Sequence, residues 1–225
     1  MTLKYFGHSA FQIISNGGIS ILIDPFITGN PFAKTKAEEL KADYIIVTHA
    51  HGDHLGDTQI IADKNDTTII CVPELAWILQ EEGFKTHELQ IGGSYSFSFG
   101  DVRFVKAEHG SATPDGRYAG LAAGAVISTG EKNIYHAGDT GIYGDMKLTA
   151  ECFEIDYALL PIGGNYTMDF KDAALAASWL KAKMAIPMHF NTFPVIEVDP
   201  AKFVQAAERH GVQARVMGFE EEITL

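Results

Sequence analysis

The segment 43–54 reads DYIIVTHAHGDH, and it constrains the chain more than any other stretch. Its first part is a near-continuous apolar run, the pattern of a strand buried on both faces. That strand runs straight into His49, His51, Asp53 and His54, four groups able to hold a metal ion. His49 and His51 are two apart, so in extended backbone they face the same side. Gly52 permits a sharp turn, after which the adjacent Asp53 and His54 aim at a second point. The C-terminal ends of buried strands are where α/β folds place their ligands.

Imidazole and carboxylate together suit Zn²⁺, Mn²⁺ or Fe²⁺ better than Ca²⁺ or Mg²⁺. One ion takes about three or four protein ligands, so the motif alone cannot complete two sites. Three further candidates stand in matching places, each after an apolar strand and before loop residues. His109 ends DVRFVKAEH, Asp139 ends KNIYHAGD, and His189 ends MAIPMH.

The rest of the chain supplies the frame. LKYFGHSAFQII and ISILIDP read as strands joined by the turn residues Asn16-Gly17-Gly18. TTIICV repeats the buried-strand character. Pro73 opens a helix that Gly83 ends. SYSFSF and DVRFVKAEH read as a strand pair with its turn at Gly100-Asp101, and LAAGAVIST and KNIYHAGD as another. DAALAASWLKAK and PAKFVQAAERHG have helical spacing. The strands fall into two groups, roughly 1–107 and 119–225. One domain over 1–225 with two sheets face to face and helices outside, a four-layer αββα sandwich of the α/β class, accommodates this order.

Seventeen Lys and Arg stand against 29 Asp and Glu, a net charge of −12. The longest basic grouping is the sparse Lys34, Lys36 and Lys41, so nucleic acid is a poor partner and a small molecule a better one. Cys71 and Cys152 form no metal-binding spacing and read as free thiols of a reducing compartment. No secretory signal or membrane-length apolar run is visible, which makes the cytoplasm the default location. Oligomeric state stays open, a homo-oligomer included.

With these residues in place, the sequence resembles the metallo-β-lactamase superfamily. His49-Ala-His51-Gly-Asp53-His54, then His109, Asp139 and His189, match its ligands in order. Gly7-His8-Ser9-Ala10-Phe11, Asp24-Pro25-Phe26, YHAGDT at 135–140, LLPIGGNYTM at 159–168 and Pro187–Phe190 resemble a metal-dependent hydrolase branch related to the ascorbate-6-phosphate lactonases. The resemblance implies two divalent transition-metal ions, zinc foremost, with manganese, iron or nickel as alternatives. It assigns His49, His51 and His109 to one ion, Asp53, His54 and His189 to the other, and Asp139 to both. Asp24 matches a structural acid. The implied activity is hydrolysis of a small ester, lactone or phosphate ester by a metal-bound hydroxide, with Asp53, Asp139 and His8 in catalytic roles and His8 touching substrate. A nuclease, a di-iron oxidoreductase and a non-catalytic metal binder are the rival readings. The nuclease is opposed by the acidic charge, the oxidoreductase by His51 and the short chain, and the inert protein by the intact ligand set.

Other polar residues are secondary. Asn165, Tyr166 and Asn191 are candidates to line the pocket, and His136 for a supporting role. His87 and His210 read as surface histidines. The stretch 26–36 is long and mixed in character, which suits a plain surface loop and also a flap over the site.

Overall fold

The computed structural model describes all residues 1–225. Two seven-stranded sheets form its centre. The first contains β1 (Thr2–Gly7), β2 (Ala10–Ile14), β3 (Ser20–Ile23), β4 (Tyr44–Ile46), β5 (Thr68–Cys71), β6 (Thr86–Glu88) and β14 (Glu222–Thr224), in the order β14-β1-β2-β3-β4-β5-β6. The second contains β7 (Ser94–Phe97), β8 (Gly100–Lys106), β9 (Ala123–Ser128), β10 (Asn133–His136), β11 (Tyr157–Pro161), β12 (Met184–Met188) and β13 (Gln213–Ala214), in the order β13-β12-β11-β10-β9-β8-β7. Hairpins give each sheet an antiparallel half, and βαβ crossovers give it a parallel half. This is the expected αββα sandwich.

The helices follow the crossovers. On the first sheet, α1 (Gly52–Leu55) and α2 (Thr58–Lys64) lie between β4 and β5, and α3 (Pro73–Glu81) packs on β5 and β6. On the second, α4 (Met146–Cys152) packs against α5 (Phe170–Trp179), which covers β11, and α6 (Ala201–Arg209) covers β13. The side chain of Asp169 caps α5 by accepting from the Lys171 and Asp172 N–H groups, which satisfies two of the donors a helix start leaves free. One continuous apolar core takes in Leu3, Phe11, Ile23 and Ile45 from the first sheet and Phe104, Val126, Leu159 and Ile186 from the second. The central strands are buried on both faces, β3 along its whole length, which is why their sequences run apolar without alternation.

Three details differ from the sequence reading. The division between sheets falls near residue 90, not between 107 and 119: β7 and β8 belong to the second sheet, and β14 returns to the first. An antiparallel hairpin looks alike whichever sheet it joins, so periodicity could not assign it. The β7–β8 turn lies at Ser98-Phe99, because Gly100 already pairs with Phe97. Gly100 is a glycine for a different reason: a Cβ there would sit 2.0 Å from the Ser128 carbonyl of β9. Finally, α4 was not read from the sequence: seven residues are too few to show a helical period, and no N-cap side-chain bond marks its start.

Candidate metal centre

Four loops at the same edge of the two sheets bring the ligand candidates together. His49 follows β4, and the next turn leads into α1, so that His51 flanks the helix start while Asp53 and His54 lie in its single turn. His109 follows β8, Asp139 follows β10, and His189 follows β12. The Asp139 loop must pass close to Thr48. A Cβ on Gly138 would meet the Ala123 carbonyl at 2.5 Å and Thr48 Cβ at 3.1 Å, and its φ is 61°, so only glycine fits.

The donor atoms converge at coordination distances. His49 Nε2 lies 3.1 Å from His51 Nδ1, which lies 3.3 Å from His109 Nε2. His54 Nε2 is 3.2 Å from Asp139 Oδ1, and His189 Nε2 is 3.0 Å from Asp139 Oδ2 and 3.8 Å from Asp53 Oδ2. Ligands about 2.0–2.1 Å from a tetrahedral ion are roughly 3.3 Å from each other, so these separations suit a cation between them. The ligand atoms of His49, His51 and His109 lie within 4.8 Å of one another, as do those of Asp53, His54 and His189; Asp139 groups with His49 and His54.

Unpaired buried atoms give the sharper test of fit. His54 Nε2, His189 Nε2 and Asp139 Oδ1 are buried and take part in no hydrogen bond, although they approach one another closely. Buried polar atoms are almost always satisfied, and a divalent cation satisfies all three at once. The residues therefore fit the metal that the sequence implies.

Surrounding groups fix which nitrogen is free. Asp24, wholly buried, accepts from the Thr48 N–H at 2.8 Å, from Thr48 Oγ1 at 2.6 Å and from His54 Nδ1 at 2.7 Å. The His54 proton therefore sits on Nδ1 and leaves Nε2 as the donor to metal. Since Thr48 gives its own proton to Asp24, its oxygen can only accept from His49 Nδ1, 3.1 Å away. That leaves His49 Nε2 free as well. One carboxylate thus orients a candidate ligand of each cluster, as supporting carboxylates do at metal centres.

His8 is placed otherwise than expected. It is fully buried and does not line the cavity. Its Nε2 donates to Asp53 Oδ2 at 3.0 Å, and its Nδ1 accepts from Thr192 Oγ1 at 2.6 Å. Its carbonyl receives the His189 N–H at 2.7 Å and the Tyr5 hydroxyl at 3.0 Å. It stands behind the ligands, holding Asp53 through its ring and His189 through its backbone. His136 is buried too, donating from Nε2 to the Ser9 carbonyl and accepting from the Gly138 N–H at Nδ1. His8, Asp24 and His189 are among seven non-glycine residues with positive φ, strain that a surrounding structure maintains where a site needs it.

Electrostatics follow the same division. Burial, with the neighbouring imidazoles, holds His49 well below the ordinary histidine pKa. Burial pushes His8 down to about 4. Burial also disfavours charge on His54 and His189, but the Asp139 carboxylate outweighs it, with Asp24 helping at His54; His54 rises well above its usual value and His189 to about 9. Asp53 and Asp139 lie well below the carboxylate range: burial would raise them, and the imidazoles facing them more than reverse it. A proton and a divalent cation compete for the same lone pairs.

A cavity of about 650 Å³ opens over the cluster. His51, Asp53, His109, Asp139 and His189 form its floor, while Phe26, Tyr166, Phe193 and Val195 form its walls. Asn165 and Asn191 are not in the wall. Both have positive φ, and Asn191 Oδ1 accepts the Val198 N–H as a turn residue does. The stretch 26–36 contributes only Phe26 to the cavity and is pinned elsewhere. The Ile27 and Thr28 N–H groups bond Asp57, the Lys34 and Thr35 N–H groups bond Glu220, and Phe32 stacks on Phe219 at 3.8 Å. It is a clasped loop, not a free flap. His87 packs on Tyr95 and Phe97, far from the cluster in the fold. Thr48, Thr192, Phe193 and Val195 escaped the sequence reading, since a loop residue's neighbours are set by tertiary contacts and leave no periodic trace.

Comparison with known proteins fits this geometry. The family model for the beta-lactamase superfamily domain matches residues 2–189. The chain belongs to that superfamily. It is 48% identical, over the full length of both chains, to a UPF0173 metal-dependent hydrolase of Bacillus cereus, and so belongs among the metal-dependent hydrolases of the superfamily. Igni18, a metallo hydrolase from the hyperthermophilic archaeon Ignicoccus hospitalis, is 38% identical, superposes with a TM-score of 0.90, and is matched over 99% of this chain and 98% of its own. CmlA, a diiron β-hydroxylase of Streptomyces venezuelae, shares 17% identity with a TM-score of 0.77 over all of this chain and 54% of its own. That likeness shows the fold alone, and a fold does not choose the chemistry. No helix of this superfamily member is long and apolar enough to cross a membrane.

Proposed function

We propose that this chain is a binuclear hydrolase acting on a small molecule with an ester, lactone or phosphate-ester bond, with zinc as the foremost metal and manganese, iron or nickel as alternatives. The observation that supports this best is the position of two ligand clusters, joined by Asp139, at the floor of a cavity about 650 Å³ in volume, within the range of small-ligand sites. Its relatives are named metal-dependent and metallo hydrolases, in agreement with this reading.

Two divalent ions there supply Lewis acidity, acidifying a water and polarising the bond to be cleaved. The protein's part is positioning and proton handling. His49, His51 and His109 would hold one ion and Asp53, His54 and His189 the other, with Asp139, only 3% exposed, grouped with His49 of the first set and His54 of the second. Asp53 keeps 27% of its side chain exposed and lines the cavity. His8 donates to its Oδ2, which fixes the orientation in which the carboxylate would hold the ion and orient the attacking water. Asp24, Thr48 and His8 hold the ligands in one tautomer and orientation, so no reorganisation is needed as charge develops.

A small molecule is favoured over nucleic acid because no Lys or Arg lines the cavity and the chain carries −12. Location in the cytoplasm accords with two free cysteines, Cys71 buried and Cys152 exposed. The test is elemental analysis of protein reconstituted with Zn²⁺ and Mn²⁺, paired with a panel of lactones, carboxylic esters, phosphate esters and structured RNA. About two ions per chain and turnover of a small ester or lactone are expected. No bound metal, or cleavage of RNA with no small ester turned over, refutes the proposal.

A further inference from the structure

The floor of the cavity fixes the reacting group, and its walls decide what the rest of the substrate is. Above the ligands, the wall consists of Phe26, Phe193 and Val195, with Tyr166 at the rim. The Phe26 and Phe193 rings are 6.4 Å apart at 33°, a continuous apolar surface, and His8 meets the edge of each from behind at 5.5 and 5.4 Å. The wall is firmly held. Asp57 accepts from the N–H groups of Ile27 and Thr28, just after Phe26, and Thr192 next to Phe193 bonds His8. Val195 and Tyr166 are 56% and 55% exposed, two of the few large apolar side chains left in water. Exposed apolar surface clustered beside a polar floor marks a ligand site.

The polar groups beyond the floor are few. Lys34 and Lys36 lie outside the cavity, and Asn165 and Asn191 are not in its lining. The Tyr166 phenol is the one uncharged side-chain hydrogen-bond donor there. A sugar-like or phosphorylated arm would surrender its hydration to phenyl rings and find no partner, a heavy cost for each polar group. An alkyl or aryl arm would gain by burial.

We infer that the substrate is an amphiphilic small molecule: one hydrolysable ester or lactone group over the ligands, and an uncharged alkyl or aryl arm laid against Phe26, Phe193 and Val195, with Tyr166 donating to an oxygen at the mouth. This rests on the hydrolase reading and narrows it, turning away from sugar phosphates.

The experiment uses the metal-loaded protein with two ligand series. The first is γ-lactones sharing one ring, with no side chain, a pentyl side chain, or hydroxylated side chains. Values of kcat/KM should rise by up to about fourfold per methylene, and the hydroxylated lactones should fall to or below the unsubstituted one. Phe193→Ala should shrink the pentyl-to-unsubstituted ratio at least threefold. Val195→Asp, at an exposed position with little influence on folding, should shrink it as well. The second series is the inert amides acetamide and hexanamide, whose binding is read by ligand-observed NMR without turnover. Hexanamide should bind at least tenfold tighter, and Phe193→Ala should remove that preference. If hydroxylated and alkyl lactones turn over equally, or the amides bind alike, the inference fails while the hydrolase reading stands. If no lactone or ester is cleaved but hexanamide shows the expected Phe193-dependent preference, the apolar arm stands and the reaction class falls.

Discussion

Replacing His8 tests how the ligand cluster is held. His8 has φ 57°, a region asparagine tolerates and alanine does not, so His8→Asn is the cleaner variant. It keeps the carbonyl that receives the His189 N–H and removes the ring that donates to Asp53 Oδ2. The lost bond is charge-assisted and part-buried, worth about 1.5–3 kcal/mol. At about 1.4 kcal/mol per decade, that corresponds to a roughly 10- to 100-fold weaker hold on the ion bound by Asp53, His54 and His189. Supporting partners at metal sites typically count for as much. The other cluster does not touch His8 and should keep its affinity. Competition with a chromophoric chelator, read by elemental analysis, resolves the two ions, and the visible spectrum of the Co²⁺-loaded protein reports coordination. The expected outcome is one weakened site with an unchanged spectrum when saturated. Two ions at wild-type affinity would refute the positioning role. A changed Co²⁺ spectrum would make His8 a ligand, since its ring also lies within 4.8 Å of the ligand atoms of that set.

Asp139→Asn removes the negative charge between the clusters; metal content should fall below one ion per chain and hydrolysis by at least about 10²-fold, whereas His87→Ala should leave both unchanged, and equal effects would misplace the site. Asp24→Asn puts an amide where three donors converge, stranding at least one; urea unfolding should show a loss of about 1–3 kcal/mol, and a loss under about 0.5 kcal/mol would refute the relay. The pH dependence follows from His189, where the Asp139 carboxylate overcomes burial to raise the pKa to about 9. The folded, metal-stripped protein holds that proton more tightly than the unfolded chain, so its contribution to stability is complete below about pH 6.5 and lost as pH rises through about 9. Thermal melts of chelator-treated protein should decline over that window. Metal affinity should rise over the same window as the competing proton leaves, and a pH-independent affinity would contradict the assignment.

The candidate ligand set was legible because its chemistry is local. His49 to His54 are adjacent in sequence, and His109, Asp139 and His189 each end an apolar strand, a position readable from pattern alone. The αββα arrangement was read from two groups of strands with helices outside them, and Asp24 was marked only by the family resemblance. What pattern could not supply was everything depending on which loops meet. His8 and Asp53 are 45 positions apart, and Thr192 is 184 positions from His8; no spacing rule links them. The sheet that the β7–β8 hairpin joins, and the return of β14 beside β1, are decided by packing of the completed core, because a two-residue period describes a strand without naming its neighbour. The cavity wall shows this most plainly. In sequence Phe26 and Phe193 are ordinary apolar loop residues, while Asn165 and Asn191 have the polarity expected of a binding site. The fold turns the asparagines into backbone corners and aligns the phenylalanines over the ligands. Residue type determined the chemistry at the floor, and loop convergence alone determined what stands beside it.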